Sequence, residues 1–260
     1  MIPAPRTVTP GAVHALRARI RAGWDGLTTG HAPGFLQGNL VILPAAYASA
    51  FSDFCQANPR ACPLLGRGAP GQAVLDALGH DLDIRTDVGR YQIFEQGRHS
   101  TTRGDLKDLW QDDWVAFVLG CWFSNEAAIA AAGIRMRHVE QGIQGGLFRT
   151  NRTSTACGPF GGPLVVSMRP FAAGDVARVA ALTAAAPLAH GAPLHVGAPG
   201  PLGIGDLACP DFGEALPPLA GEVPMYWACG LTANEAIAAA RLPIAITHAP
   251  GCMVVTDLPG

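Results

Sequence analysis

Two nearly unbroken apolar runs, NLVILP (39–44) and WVAFVLGCWF (114–123), constrain the fold more than any other feature of the chain. A strand that is apolar at every position has no face to give to water. It must lie inside a sheet that is covered on both sides. Each run leads into a helical pattern: AYASAFSDFCQANP repeats Tyr47, Phe51, Phe54 and Cys55 along one face, and an alanine-rich segment (126–132) follows the second run. The succession recurs. LVVSMRPF (164–171) precedes DVARVAALTAAAP, which carries Val176, Val179, Ala180 and Leu182 on one stripe before Pro187 stops it, and EVPMYWACG precedes TANEAIAAARL and PIAITHAPG. Near the start, GAVHALRARIRAGW sets Val13, Leu16 and Ile20 at helical spacing. Apolar strands alternating with amphipathic helices predict an α/β fold, a mainly parallel sheet flanked by helices with a smaller interleaved α+β part. The 260 residues would form one compact catalytic unit, the smaller α+β subdomain lying within about 120–200, where glycine- and turn-rich stretches (141–163 and 197–222) bracket it.

The balance of charge narrows the partners. Only 15% of residues are charged, the formal net charge is −2, and the richest basic run, Arg17 to Arg21, is a short helix face, so a nucleic-acid partner is not expected. No stretch approaches the roughly eighteen apolar residues of a membrane span. The N-terminal MIPAPRTVTPG lacks the charged start and apolar core of an export signal, so the expected compartment is the cytoplasm. Seven cysteines, scattered and with no Cys-x-x-Cys pair, read as reduced thiols. The expected partner is a small-molecule carboxylate, with no cofactor, no bound metal, no membrane and no nucleic acid, and assembly into a homo-oligomer is left open.

In an open parallel sheet, sites form beyond the carboxyl ends of the strands. Those ends carry Gly120-Cys121, Arg169, His195, Cys229-Gly230 and His248. A thiol at a strand-to-helix turn, as at Cys121 or Cys229, sits near backbone N–H groups that favour a thiolate, although a turn cysteine also serves as a small buried hydrophobe. Arg149 and Arg169 are polar exceptions beside apolar runs; each could grip a carboxylate or close an internal ion pair. Glu126, Asp206 and Glu222 are candidate acids or bases, or simple helix caps. HGAPLHVG (190–197) places His190 and His195 five positions apart on a stiff backbone, and with His248 they could bind metal, move protons or only support a turn. His-x4-His on a turning segment lacks the one-face geometry of a helical metal pair, which favours proton transfer or substrate contact by at least one of them. An internal echo links GCWFSNEAAIAAAGI (120–134) with ACGLTANEAIAAARL (228–242). It is either a duplication or two alanine-rich helices with similar caps, Thr232 and Glu235 having capping-box spacing.

Taken in order, NLVILP, FCQANPRACPLL, DIRTDVGRY, LWQDDWVAFVLGC, PLVVSMRPF, HGAPLHVG, EVPMYWACG and ITHAPGCMVVTDL resemble, over nearly the whole chain, the hydro-lyase family that includes D-glutamate cyclase. The resemblance implies an α/β protein of two interleaved parts that, in at least some members, closes D-glutamate to 5-oxo-D-proline with loss of water. Where that family tends to read Gly-Cys-Ser-Phe-Ser-Phe-Glu, this chain has Gly120-Cys121-Trp122-Phe123-Ser124-Asn125-Glu126, and where it tends to read Val-Pro-Met-Tyr-Arg-Thr, this chain has Gly145 to Thr150, GGLFRT. The reaction type is therefore carried over before the substrate.

Ring closure needs a free amine, an electrophilic carboxyl and a protonated leaving oxygen. His248 or His195 would move protons with Glu126 as partner carboxyl. Arg169 and Arg149 would hold substrate carboxylates, His190 and Ser124 would contact substrate, and the backbone at Gly120 and Cys121 would stabilise negative charge. Cys121, Glu126, Arg149, Arg169, His195 and His248 are thus expected in one cleft. A non-catalytic carboxylate-binding protein and thiol-dependent acyl transfer at Cys121 are the alternatives.

Overall fold

The computed structural model describes residues 10–260. Its first half runs α1 (Pro10–Arg21), β1 (Phe35–Pro44), α2 (Ala45–Ala57), β2 (Leu64–Arg67), β3 (Tyr91–Glu95), β4 (Arg98–Arg103) and β5 (Trp114–Gly120). A 3-10 turn over Trp122–Asn125 then leads into α3 (Glu126–Ala131), α4 (Arg137–Gln141), β6 (Leu147–Thr153), β7 (Pro163–Ala172), α5 (Val176–Ala184), β8 (His195–Val196), β9 (Glu222–Ala228), α6 (Leu231–Ala240), β10 (Ala245–His248) and β11 (Val254–Pro259).

The strands form a seven-stranded sheet, β2-β5-β1-β10-β3-β4 with β11 also on β1, and a four-stranded sheet, β6-β7-β9-β8. β1 is the axis of the larger sheet. It pairs with β5 from Gly38↔Gly120 to Pro44↔Trp114, and its other edge is shared end to end by β10, at Val41↔Thr247, and β11, at Gly38↔Val254.

Every named pairing is antiparallel. The expected mainly parallel sheet flanked by helices is therefore replaced by two antiparallel sheets with helices packed on them. The physical reason lies in what an apolar run encodes. β1 is buried at nine successive positions and β5 at all seven. Along both strands, alternate side chains serve two separate cores: Val41, Leu43, Val115, Phe117 and Leu119 face α2 and α6, while Leu40, Ile42, Ala116 and Val118 face the loop layer holding Leu75, Leu78, Leu82 and Val88. A run of this kind reports cover on two faces and carries no information about strand direction.

The capping-box reading of Thr232 and Glu235 also gives way. Gly230 is the N-cap of α6, the Thr232 hydroxyl accepts from the Val165 amide at 3.1 Å, and Glu235 binds Arg149. No helix among the described residues is long and apolar enough to cross a membrane.

Candidate active site

A cavity draws on both sheets, lined by Asn39 of β1, Cys121 and Trp122 after β5, Ser167 and Arg169 of β7, Cys229 after β9, His248 of β10 and His190 from the loop after α5.

Arg169 dominates the chemistry. Its side chain is fully buried, and among the described residues no carboxylate lies within ion-pair distance. Its Nη1 donates only to the Met168 carbonyl, at 2.9 Å, and its Nε has no partner. The guanidinium lies 5.0 Å over the Trp122 ring. Gly145, at φ 81°, closes over its rim, where a Cβ would come within 2.8 Å of Nη1. Burial pulls the Arg169 pKa below its ordinary range, and the Glu126 carboxylate, acting through space, offsets part of that cost. Ser167 Oγ and Trp122 Nε1, both on the cavity, are likewise buried without partners. Buried polar groups normally find partners, so three orphans on one cavity wall mark where a polar ligand would complete the hydrogen bonding.

The two cavity histidines each bring Nδ1 against the backbone, His190 at a carbonyl and His248 closest to an amide. His190, at φ 74°, places Nδ1 2.7 Å from the Arg60 carbonyl, which can only accept. The neutral ring then carries its proton on Nδ1 and offers a lone pair at Nε2. His248 places Nδ1 3.2 Å from the Leu40 amide, which can only donate, and the Leu40 carbonyl is farther away at 3.4 Å. The shorter contact favours Nδ1 as the acceptor, with the proton assigned to Nε2. Burial pushes both imidazoles down to about 4, so both are neutral at pH 7.

This depression has a stability consequence. A histidine at about 4 when folded and about 6.5 when unfolded binds more protons unfolded between those values, so stability falls as pH drops through that window. Each ring contributes on the order of 3 kcal/mol at full effect. Urea titrations at pH 7 and pH 4.5 are expected to show a large loss for the natural protein, and His190→Gln or His248→Gln should flatten the profile. A profile as steep in both variants would refute the assignment.

Cys121 is the residue before the 3-10 turn, and burial pushes its thiol well up, against the opposing pull of the Phe123 amide and of Arg169. The thiolate-favouring turn expected from sequence is thus outweighed by desolvation. Gly120 donates its amide to the Pro63 carbonyl at 2.7 Å and accepts from the Asn39 side chain, also at 2.7 Å.

Of the six residues expected in one cleft, Cys121, Arg169 and His248 line the cavity, and His190 joins them. The other three lie elsewhere. Arg149 is spent on a bidentate pair with Glu235 (2.9 and 2.8 Å) and a contact to Asp211 at 2.9 Å, on a half-exposed surface. His195 sits on β8 with Nε2 2.7 Å from the Ala198 carbonyl and its ring against Tyr226. Glu126 is buried beneath the site, accepting from the Thr29 hydroxyl (2.6 Å), the Gly30 amide (2.7 Å) and His138 (3.2 Å). Ser124 accepts from the Gln37 amide at 2.9 Å. Asn39, Trp122 and Ser167 also line the cavity, and no sequence pattern had singled them out. Ser167 was accessible from the sequence, since on a strand it shares a face with Arg169 two positions on.

An unpaired buried arginine and two neutral histidines on one cavity give it the charge and the hydrogen-bonding groups of a candidate small-molecule site. The profile of the D-glutamate cyclase family matches residues 115–257. A relative from Bradyrhizobium diazoefficiens, provisionally named a hydro-lyase, is 49% identical over 260 residues, 99% of this chain and 96% of its own. One so named from Burkholderia multivorans is 51% identical over 238 residues, 92% of each chain. The chain belongs to the D-glutamate cyclase family, whose relatives carry hydro-lyase names.

Proposed function

We propose that the cavity binds a small amino or hydroxy dicarboxylate and removes water from it, closure of D-glutamate to 5-oxo-D-proline being the reaction that the family description favours. The observation that carries this reading is the buried Arg169 guanidinium without a carboxylate of its own. It holds the carboxylate that does not react. The ammonium and the second carboxylate of a glutamate together contain the water that leaves: nitrogen gives up two protons and the carboxylate one oxygen as the amide bond forms. The Nε2 lone pair of His190 takes the two protons from nitrogen one after the other and hands each to the departing oxygen, which leaves as water. The Nε2–H of His248, as a neutral donor, holds the oxygen on which negative charge develops, and it needs no proton transfer of its own.

Mass spectrometry after incubation with D-glutamate and with related amino and hydroxy diacids tests the reaction. A product lighter by one water is expected, and its absence across the set refutes a dehydrating function. His190→Gln is expected to lower turnover by roughly a hundred- to ten-thousand-fold while ligand affinity, read by calorimetry, changes little. Affinity lost in step with turnover would make His190 a binding residue only.

A further inference from the structure

The echo between residues 120–134 and 228–242 acquires a meaning once both segments are placed. Each is the end of a strand, a cysteine and the start of a helical turn, one from each sheet: β5 with Cys121, and β9 with Cys229. In both, the cysteine carbonyl accepts from the amide three residues on, Ser124 at 3.1 Å or Thr232 at 3.0 Å, and Arg169 acts on both thiols. Both cysteines line the same cavity, and both are free. Desolvation raises both, Cys229 to about 11, so each stands protonated at pH 7. The dehydration described above uses neither of them.

We propose that Cys121 and Cys229 form a two-thiol pair that removes and returns the proton at Cα of a bound 2-amino dicarboxylate, interconverting its enantiomers. The proposal rests on Arg169 holding the substrate carboxylate. That carboxylate lies next to Cα, and the guanidinium is in place to stabilise the charge that spreads onto it when the Cα–H bond breaks. An incoming ammonium adds a second positive charge to the cavity and favours ionisation of a thiol.

The step balances without any external reagent. Cys229 gives its proton to the Nε2 lone pair of His190, and the resulting thiolate takes the Cα proton. Cys121 delivers its own proton to the other face of the carbon. His190 then returns its proton to the Cys121 thiolate, leaving both thiols and the ring as they began and the substrate inverted. The reverse direction uses the thiols in the opposite order. Such an activity would let the protein draw its D-configured substrate from the more abundant L-enantiomer.

The test is incubation of the purified protein with D-glutamate and, separately, L-glutamate in D2O, reading Cα deuterium by proton NMR and the opposite enantiomer by chiral chromatography. Calorimetric titration of the same samples reports binding. Deuterium at Cα together with inversion is expected for the natural protein. Cys121→Ser and Cys229→Ser are each expected to slow inversion at least about a hundred-fold. Each variant should still exchange the Cα proton of one enantiomer, a different one in the two cases, because each retains one thiol. Binding that depends on Arg169 with no Cα exchange overturns the thiol pair and leaves the carboxylate reading standing. Exchange or inversion that survives unchanged in both serine variants also overturns it. If neither glutamate binds, the carboxylate reading and the thiol pair fall together.

Discussion

Arg169→Met is expected to abolish carboxylate binding while making the empty protein more stable. Losing one partner of a buried charge pair weakens a complex by about 2–5 kcal/mol, roughly thirty- to several-thousand-fold in affinity. The gain in stability has a separate cause. An arginine at 2% exposure with no directly paired carboxylate carries a desolvation cost that Glu126 offsets only in part, and a methionine fills similar volume without it. Arg149→Met is the control. Its guanidinium lies on a side chain that is 44% exposed and already paired with Glu235 and Asp211, so removing it should cost about 1 kcal/mol or less in stability and leave affinity intact. Calorimetry with D-glutamate and thermal melts of the four combinations, each variant with and without ligand, provide the readout. Equal loss of affinity in both variants, or a lower melting temperature for ligand-free Arg169→Met, would refute the assignment of Arg169 as the carboxylate receptor.

That contrast shows how much was legible in the chain. Both arginines stand out from the sequence for the same reason, a charge beside apolar residues, and sequence left each divided between ligand grip and internal ion pair. The division is resolved by neighbours from distant segments: Asp211 and Glu235 pair directly with Arg149, whereas among the described residues no carboxylate comes within ion-pair distance of Arg169. Element types were largely legible, because burial on two faces and helical stripes leave local marks, and β1, β5, β7, α2 and α5 all appear where those marks are. Strand direction was not, since NLVILP pairs equally well in either sense and the long connection from Pro44 to Trp114 hides which way β5 returns. The histidines divide in the same manner. His190 and His195 share one short string, yet the left-handed turn at His190 sends its ring onto the Arg60 carbonyl and into the cavity, while His195 starts an edge strand against Tyr226.

Gly120→Ala is expected to have the largest effect of any single methyl addition near the site. A Cβ at this position would sit 1.6 Å from the Leu188 carbonyl oxygen and 2.8 Å from its carbon, far inside contact distance and against backbone that cannot rotate away. Either β5 bends outward or the 3-10 turn Pro187–Ala189 lifts, and that turn runs directly into His190. Bending β5 would strain its ladder with β1, including Gly38↔Gly120, and the 2.7 Å bond from Gly120 to Pro63. Lifting the turn would break the bond from His190 to the Arg60 carbonyl and remove the Nε2 lone pair from the cavity. Overpacking of a tight interior costs about 1–3 kcal/mol even where side chains can yield. Here only backbone can yield, so a loss above about 3 kcal/mol is expected, a large part of a typical domain's 5–15 kcal/mol. Gly133→Ala gives the comparison, since a Cβ there meets nothing within 4 Å and only the φ of 73° is unfavourable, a penalty of about 1–2 kcal/mol with no reach into the site. Urea unfolding of the two variants, with the His190 ring followed by NMR where Gly120→Ala still folds, separates the outcomes. A Gly120→Ala protein as stable as Gly133→Ala, with the His190 resonance unmoved, would show that the contact between β5 and the 187–190 segment does not hold the His190 ring in place.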